Sequence, residues 1–325
     1  MWKTRGLFGD FGHTDPMYPL PQELTGGAFT AAEALRKGVP RERLRRKDVV
    51  ALGAGVYAVQ TLADARTPLE TLQLKAAALL RERPDAWISH SSAAQIHRLW
   101  LPGGPSTDQR LHLSHPLEPG LWTRRRGVCG HRVSLRPQDI TTREGLRLST
   151  PARTWLDVGR GCSVRELIIM GDLLVRHPYP RFDARTTPHT TIDELRDLLQ
   201  ATPGAAGRRR CLTALTWIRV GSDSVQETLL RLALIRAGLP EPELQVPAQP
   251  GFRWSPRADL GYPALKVAIQ YEGDTHFTPQ QQRADQRRDN VFLTEGWRVL
   301  RFNAEDSREG FQRAVTQVRA ALAGG

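Results

Sequence analysis

Apolar positions recur along this chain with two different periods, and the change of period divides it. Between residues 68 and 83 Leu69, Leu72, Leu74, Ala77, Leu79 and Leu80 follow helical spacing. Before them, Phe29-Thr-Ala-Ala-Glu-Ala-Leu-Arg-Lys-Gly38 reads as a short helix. Thr30 is its N-cap, Glu33 holds the capping-box position and Gly38 the stop. Val39 and Pro40 open a second short helix over 41–47. The glycine-punctuated stretch 49–59, ending Gly55-Val-Tyr-Ala-Val, predicts a small hairpin. Helix, tight turn, basic helix and hairpin is the order of a winged helix-turn-helix, here expected over 26–60. Residues 1–25 lack periodicity and read as an irregular arm.

The middle of the chain, 61–220, mixes both periods. Ser89-His-Ser-Ser-Ala-Ala-Gln-Ile-His starts a helix with a serine cap, His90 and His97 being capping and packing residues. Arg110-Leu-His-Leu-Ser-His and Gly130-His-Arg-Val-Ser-Leu have strand character. His112 and His115, three apart on a strand, do not share a face and are not read as a metal pair. Thr150-Pro-Ala-Arg-Thr-Trp-Leu-Asp opens a capped helix with proline in its first turn. Helices are expected near 164–176 and 192–199. The Gly/Ala/Arg run 204–210 reads as a linker and the best domain boundary.

From 221 the pattern becomes helix, strand, strand, helix, strand. Ser222-Asp-Ser-Val-Gln-Glu-Thr-Leu-Leu opens a helix carrying Glu227 in its first turns. In Leu265-Lys-Val-Ala-Ile-Gln-Tyr-Glu-Gly the strand period sends Val267, Ile269 and Tyr271 one way and Ala268, Gln270 and Glu272 the other. The preceding strand, Arg257-Ala-Asp-Leu, brings Asp259 within reach of that second face. A carboxylate in an apolar strand is costly unless a cation or hydrogen bond satisfies it. Two carboxylates and an amide oxygen at a sheet edge suit Mg2+ or Mn2+, with Asp259, Glu272 and Gln270 as ligands. His276, just past the turn, is placed to act as general acid or base. Arg283 and Arg287 lie on the next predicted helix, available for phosphate. In a non-catalytic alternative, a nuclease-like fold kept for binding, the carboxylates are satisfied by neighbouring arginines, notably Arg257 and Arg287.

Charge narrows the partner. The 325 residues carry a formal net charge of +12 and a pI near 10.4, which points to a polyanion. The excess is not uniform. Residues 221–325 hold 13 basic and 13 acidic side chains, and residues 1–220 hold 33 against 21. A nucleic-acid grip therefore falls in the N-terminal two thirds, on Arg41, Arg43, Arg45, Arg46 and Lys47 and on the loop cluster Arg124, Arg125 and Arg126. No apolar run is long enough to span a membrane. Three scattered cysteines offer neither a disulfide framework nor a zinc spacing, in keeping with a cytoplasmic setting.

Two resemblances emerge. Residues 26–220 resemble antitoxins of the AbiEi type from abortive-infection systems, in Thr30-Ala-Ala-Glu-Ala-Leu, Gly55-Val-Tyr, Ser89-His-Ser-Ser-Ala-Ala and Thr150-Pro-Ala-Arg-Thr-Trp-Leu-Asp. Residues 221–325 are similar to the PD-(D/E)XK nuclease superfamily, and more closely to its very-short-patch-repair-like branch. The matching features are the helix glutamate, Arg-Ala-Asp-Leu, Tyr-Glu-Gly-X-X-His and Val-Leu-Arg-Phe. The second resemblance implies Glu227, Asp259 and Glu272 as metal ligands or their supports and His276 as the group that activates water. The chain departs from that pattern at Gln270-Tyr-Glu272, where the superfamily has an acid and a lysine.

The expected architecture is thus a multidomain α/β (α+β) protein. It comprises an N-terminal winged helix, a middle α/β region and a restriction-endonuclease-like mixed sheet flanked by helices. The expected activity is metal-dependent hydrolysis of DNA, with Glu227, Asp259, Gln270, Glu272 and His276 as the catalytic set. The alternatives are a non-catalytic DNA-binding regulator or antitoxin, and an RNA-cleaving toxin.

Overall fold

The computed structural model describes residues 19–64, 66–117, 125–134, 136–178, 183–273 and 279–324, without the side chains of 279–286. The fold is mixed α/β and divides into two compact units. One holds the chain to Pro84 with Arg125–Gly127, and the other holds the remainder.

In the first unit the chain runs through helix α1 (Gln22–Thr25), strand β1 (Phe29–Thr30), helix α2 (Ala31–Arg36) and a 3-10 turn (Arg41–Arg45). Strands β2 (Val49–Gly53) and β3 (Val56–Val59) and helices α3 (Gln60–Ala63) and α4 (Pro68–Glu82) follow. The strands form an antiparallel sheet in the order β1-β3-β2. Leu24, Phe29, Ala34, Val39, Leu44 and Val49 fill its core. Thr30 caps α2 as expected, accepting the Glu33 N–H at 3.0 Å, but Glu33 does not complete a capping box, because its carboxylate pairs with Arg81 of α4. The hairpin turn passes Gly53, Ala54 and Gly55, all at positive φ.

Three expectations are corrected here. Helix α1 occupies part of the supposed irregular arm, and its Leu24 is buried. The unit does not end at 60, since α4 belongs to it. The basic segment is a single 3-10 turn rather than a helix over 41–47, because Arg43 and Leu44 turn inward and are buried.

The second unit contains two sheets. The first runs β6-β5-β4-β8-β7 and comprises β4 (Trp87–Ile88), β5 (Leu111–Pro116), β6 (Val128–Val133), β7 (Ile140–Arg143) and β8 (Leu146–Ser149). Around it lie α5 (His90–His97), α6 (Gly103–Thr107), α7 (Pro151–Val158), α8 (Val164–Val175), α9 (Ile192–Ala201) and α10 (Arg208–Leu215). Trp155, Leu167, Met170, Leu195, Leu199, Cys211 and Ile218 make the helical core. The second sheet runs β12-β11-β10-β9, from β9 (Glu243–Pro247), β10 (Arg257–Tyr262), β11 (Val267–Glu272) and β12 (Arg298–Asn303). Strands β9 to β11 are antiparallel, and β12 returns parallel to β11 after helix α12 (Pro279–Thr294). One face packs on α11 (Val225–Arg236) and α14 (Gln312–Ala323), which follows the short α13 (Ala304–Arg308). The other face meets α12 through Ala268, Phe292 and Trp297.

The expected linker at 204–210 is not a boundary but lies within the second unit, where Ala205 packs against the helical core. Gly207 has φ +83, and a Cβ there would lie 2.4 Å from the Arg160 nitrogen. Beyond it, Asp172 of α8 is fully buried against Arg231 of α11, 2.8 Å apart, and also accepts hydrogen bonds from the Thr228 hydroxyl and the Arg219 N–H. That buried pair ties the second sheet's helices to the first core, so the two expected regions 61–220 and 221–325 meet in one unit after Pro84.

Candidate functional site

The acidic site is assembled where β10 and β11 stop pairing. Their register runs from Tyr262↔Val267 to Leu260↔Ile269, which places Asp259 one step past the last pair. Its carboxylate takes over from the ladder: the Tyr271 N–H donates to Asp259 Oδ2 at 2.7 Å. The expected alternation holds on β11. Val267 and Ile269 enter the core beneath α11, with Tyr271 packed against it, and Ala268 faces α12.

Glu227 comes from the first turn of α11, whose cap is Ser224. The Glu227 N–H donates to Ser224 Oγ at 3.1 Å, and its carboxylate accepts the Asp223 N–H at 2.8 Å. Asp223 in turn accepts from Gln245 Nε2 at 3.0 Å. Glu227 is buried, and burial together with the nearby Asp259 charge raises its pKa to about 8. Burial also raises Asp259, to about 6, with Asp223 adding to the effect and the Tyr271 N–H and Arg288 opposing it. The pair thus retains a proton near neutrality, and a cation placed between the two carboxyls would displace it.

Gln270 is 1% exposed, and its side-chain nitrogen has no hydrogen-bond partner among the described residues. Glu272 is turned elsewhere. Arg301, on β12, bonds both Glu272 and Asp289 of α12 and so clamps the strand to the helix. Arg301 and Arg288, rather than Arg257 and Arg287, are therefore the cations at the acidic residues. Arg257 donates to the Gln245 carbonyl, and Arg287 is exposed. Lys266 cannot supply the missing lysine, because its ammonium is bonded to the Glu295 carbonyl at 2.7 Å, at the opposite end of β11. His276 lies outside the described residues, as does the side chain of Arg283.

The structure thus brings Asp223, Glu227 and Asp259 together and draws Glu272 toward Arg301. Asp223 was missed in the sequence because it looks like one more polar residue ahead of a helix cap. Among the described residues, one group of three ligating side chains has all its ligand atoms within 4.8 Å: His90, His112 and His131, not the acidic set. Ser89, expected to cap α5, does not do so. It contacts His90 Nδ1 at 3.0 Å and accepts from Ser114 Oγ at 2.7 Å. His97 packs as expected, its Nε2 lying 2.8 Å from the Ser149 carbonyl. His112 and His115 are not paired with each other: one meets Asp108, the other Asp85. The metal-ligand spacing was invisible because His131 reaches His112 only through the parallel register of β5 and β6.

On the basic segment Arg41, Arg45 and Lys47 are exposed and Arg46 is half-buried. Arg43 does not serve the surface. It is 6% exposed and bonds both carboxylate oxygens of Asp48, with Nη1 to Oδ1 at 2.8 Å. Arg126 is exposed, Arg125 is bonded to Glu82, and Arg124 lies outside the described residues.

The chain matches no known protein-family model. It is 28% identical over 222 residues to two uncharacterized proteins of Mycobacterium tuberculosis, MT2308 of strain CDC 1551 and Rv2248 of strain H37Rv. The match covers 65% of this chain and 76% of each relative. Among solved structures, the RV2827C protein of Mycobacterium tuberculosis aligns with a TM-score of 0.36 at 17% identity, over 59% of this chain and 77% of that one.

Proposed function

We propose that the chain is a nucleic-acid-binding, divalent-metal-dependent phosphodiester hydrolase acting on DNA in a cytoplasmic setting. The observation that carries this reading is the pair Glu227 and Asp259. Two carboxyls buried together at a broken strand ladder, each with a raised pKa, hold an unfavourable charge arrangement that Mg2+ or Mn2+ would relieve. Asp259 would be the central ligand, with Glu227 and Asp223 beside it. The Gln270 carbonyl and Glu272 would complete the set once Glu272 leaves Arg301. Held by Asp259, Glu227 and Asp223, such an ion would supply polarisation of a phosphate oxygen and activation of a water. The exposed Arg41, Arg45 and Lys47 supply phosphate contacts, consistent with the basic excess before residue 221. Among the described residues no helix is long and apolar enough to cross a membrane.

The Arg301 clamp favours a second reading, a DNA-binding regulator or antitoxin whose nuclease-like sheet has lost its activity. In that state Glu272 is neutralised by the protein itself and Gln270 adds no charge.

One assay separates the two. Labelled DNA and RNA are incubated with the protein, with and without Mn2+. Hydrolysis that needs Mn2+ and falls at least about 100-fold in Asp259→Ala and in Glu227→Gln supports the enzyme. DNA binding without cleavage supports the regulator. Cleavage confined to RNA would replace DNA as the substrate.

A further inference from the structure

We propose that His90, His112 and His131 form a second metal site, selective for a borderline divalent transition ion of the Zn2+ type and separate from the acidic site. The three imidazoles come from different elements: the first residue of α5, the second residue of β5 and the neighbouring parallel strand β6. Their ligand atoms all lie within 4.8 Å of one another. His112 Nδ1 and His131 Nε2 are 3.0 Å apart, and the His90 ring stacks on His131 with centroids 3.5 Å apart. Tetrahedral bonds of about 2.0–2.1 Å put ligand nitrogens roughly 3.3 Å apart, so His112 and His131 are already near that spacing, while the stacked His90 ring must swing away from His131 to turn its lone pair onto the ion.

The surroundings select which nitrogen is available. His112 Nε2 is 3.0 Å from Asp108 Oδ2. Asp108 is also paired with the Arg110 guanidinium at 2.7 Å and accepts the Arg110 N–H at 3.0 Å. An ionised Asp108 requires a proton on His112 Nε2, which leaves the Nδ1 lone pair directed at His131. Carboxylate, histidine and metal in series is the usual support for a ligating imidazole. On the other side Ser89 Oγ, 3.0 Å from His90 Nδ1, can accept that N–H and free His90 Nε2. His90 itself sits at φ +52, an uncommon backbone state for a residue other than glycine.

Only imidazoles face the ion, a donor set suited to Zn2+, Ni2+, Co2+ or Cu2+ rather than to Mg2+. All three rings line a cavity of about 760 Å³ with Asp157, Arg132 and Arg160 on its wall. Three protein ligands with the fourth position facing a cavity is the open arrangement that leaves room for water or an anionic ligand.

The test uses the untagged full chain, stripped with EDTA and titrated with Co2+, whose tetrahedral complex absorbs visibly. The intense tetrahedral band is expected to saturate at one equivalent and to disappear on displacement by Zn2+, and the same band is expected in Asp259→Ala. The band is expected to vanish in the His112→Ala, His131→Ala double variant, with folding verified by circular dichroism. Asp108→Asn, which keeps every ligand, is expected to weaken Co2+ about 10–100-fold. This variant decides the matter if the double variant does not fold. No Co2+ band, a band that survives the double variant, or unchanged affinity in Asp108→Asn each overturns the site. Loss of the band in Asp259→Ala would move it to the acidic cluster.

Discussion

A carboxyl that keeps its proton in the folded state gives a definite pH signature. Glu227 is raised from an ordinary 4.5 to about 8. Below the lower value both folded and unfolded chains hold the proton, and the favourable contribution is complete. As pH rises between the two values the unfolded chain releases the proton while the folded chain retains it, so stability falls. The slope is at most about 1.4 kcal/mol per pH unit for this one group. Denaturant midpoints measured in EDTA at several values across that window should therefore decrease with pH and level off above it. Glu227→Gln should flatten the profile and raise the midpoint at the alkaline end, and saturating Mn2+ should do the same for the parent. A midpoint that rises with pH would show that the carboxyls are stabilised as anions instead. Gln270→Glu should add a ligand charge, raising Mn2+ affinity at least about tenfold by calorimetry.

At the scale of elements, two predictions separate structural residues from candidate phosphate-binding ones. Arg43→Ala should remove the packing of a buried side chain and its pairing with the exposed Asp48, destabilising the N-terminal unit by about 1–2 kcal/mol, read from its unfolding transition. Replacing Arg41, Arg45 and Lys47 by alanine should leave that transition in place. It should weaken DNA binding and make log affinity less steep against log salt, by up to about one unit of slope for each phosphate-binding cation removed. The residue pattern supports these assignments only in part. Alternation along 267–272 and the caps at Thr30 and Thr150 were legible because each depends on nearest neighbours in sequence. The inward turn of Arg43 was not legible, since a five-residue basic run looks the same whether one arginine is buried or none. Gly207 misled for a similar reason. A glycine in an Arg-rich run suggests flexibility, whereas here it permits backbone to approach Arg160 at a distance no side chain allows. Gly207→Ala should consequently cost several kcal/mol and lower the melting temperature of the second unit.

For the whole molecule, the decisive feature is the buried Asp172–Arg231 contact. Burial raises the pKa of Asp172 while Arg231 opposes that rise, so the ion pair exists only because both partners are present. Asp172→Ala should cost about 2–4 kcal/mol, because Arg231 loses its fully buried partner and keeps Glu241 and the Trp217 carbonyl. A fragment beginning at 221 would strip Arg231 of Asp172 and of the Trp217 carbonyl, leaving Glu241, and should fold poorly; a cooperative melt of that fragment would count against the tie. Local periodicity located the acidic sheet correctly but could not show this dependence. The residues responsible lie 59 positions apart and resemble ordinary helix-surface charges in sequence.

Gln270 gives the acidic site an evolutionary dimension. Its side chain is enclosed, and glutamine and glutamate have nearly the same shape, so the two can exchange with little repacking. In the genetic code they differ at the first base of the codon alone. One nucleotide change would therefore add or remove one carboxylate beside Glu227 and Asp259 while the fold around it stays in place. If the proposed metal site is correct, lineages carrying this chain would strengthen or weaken it by a single reversible step.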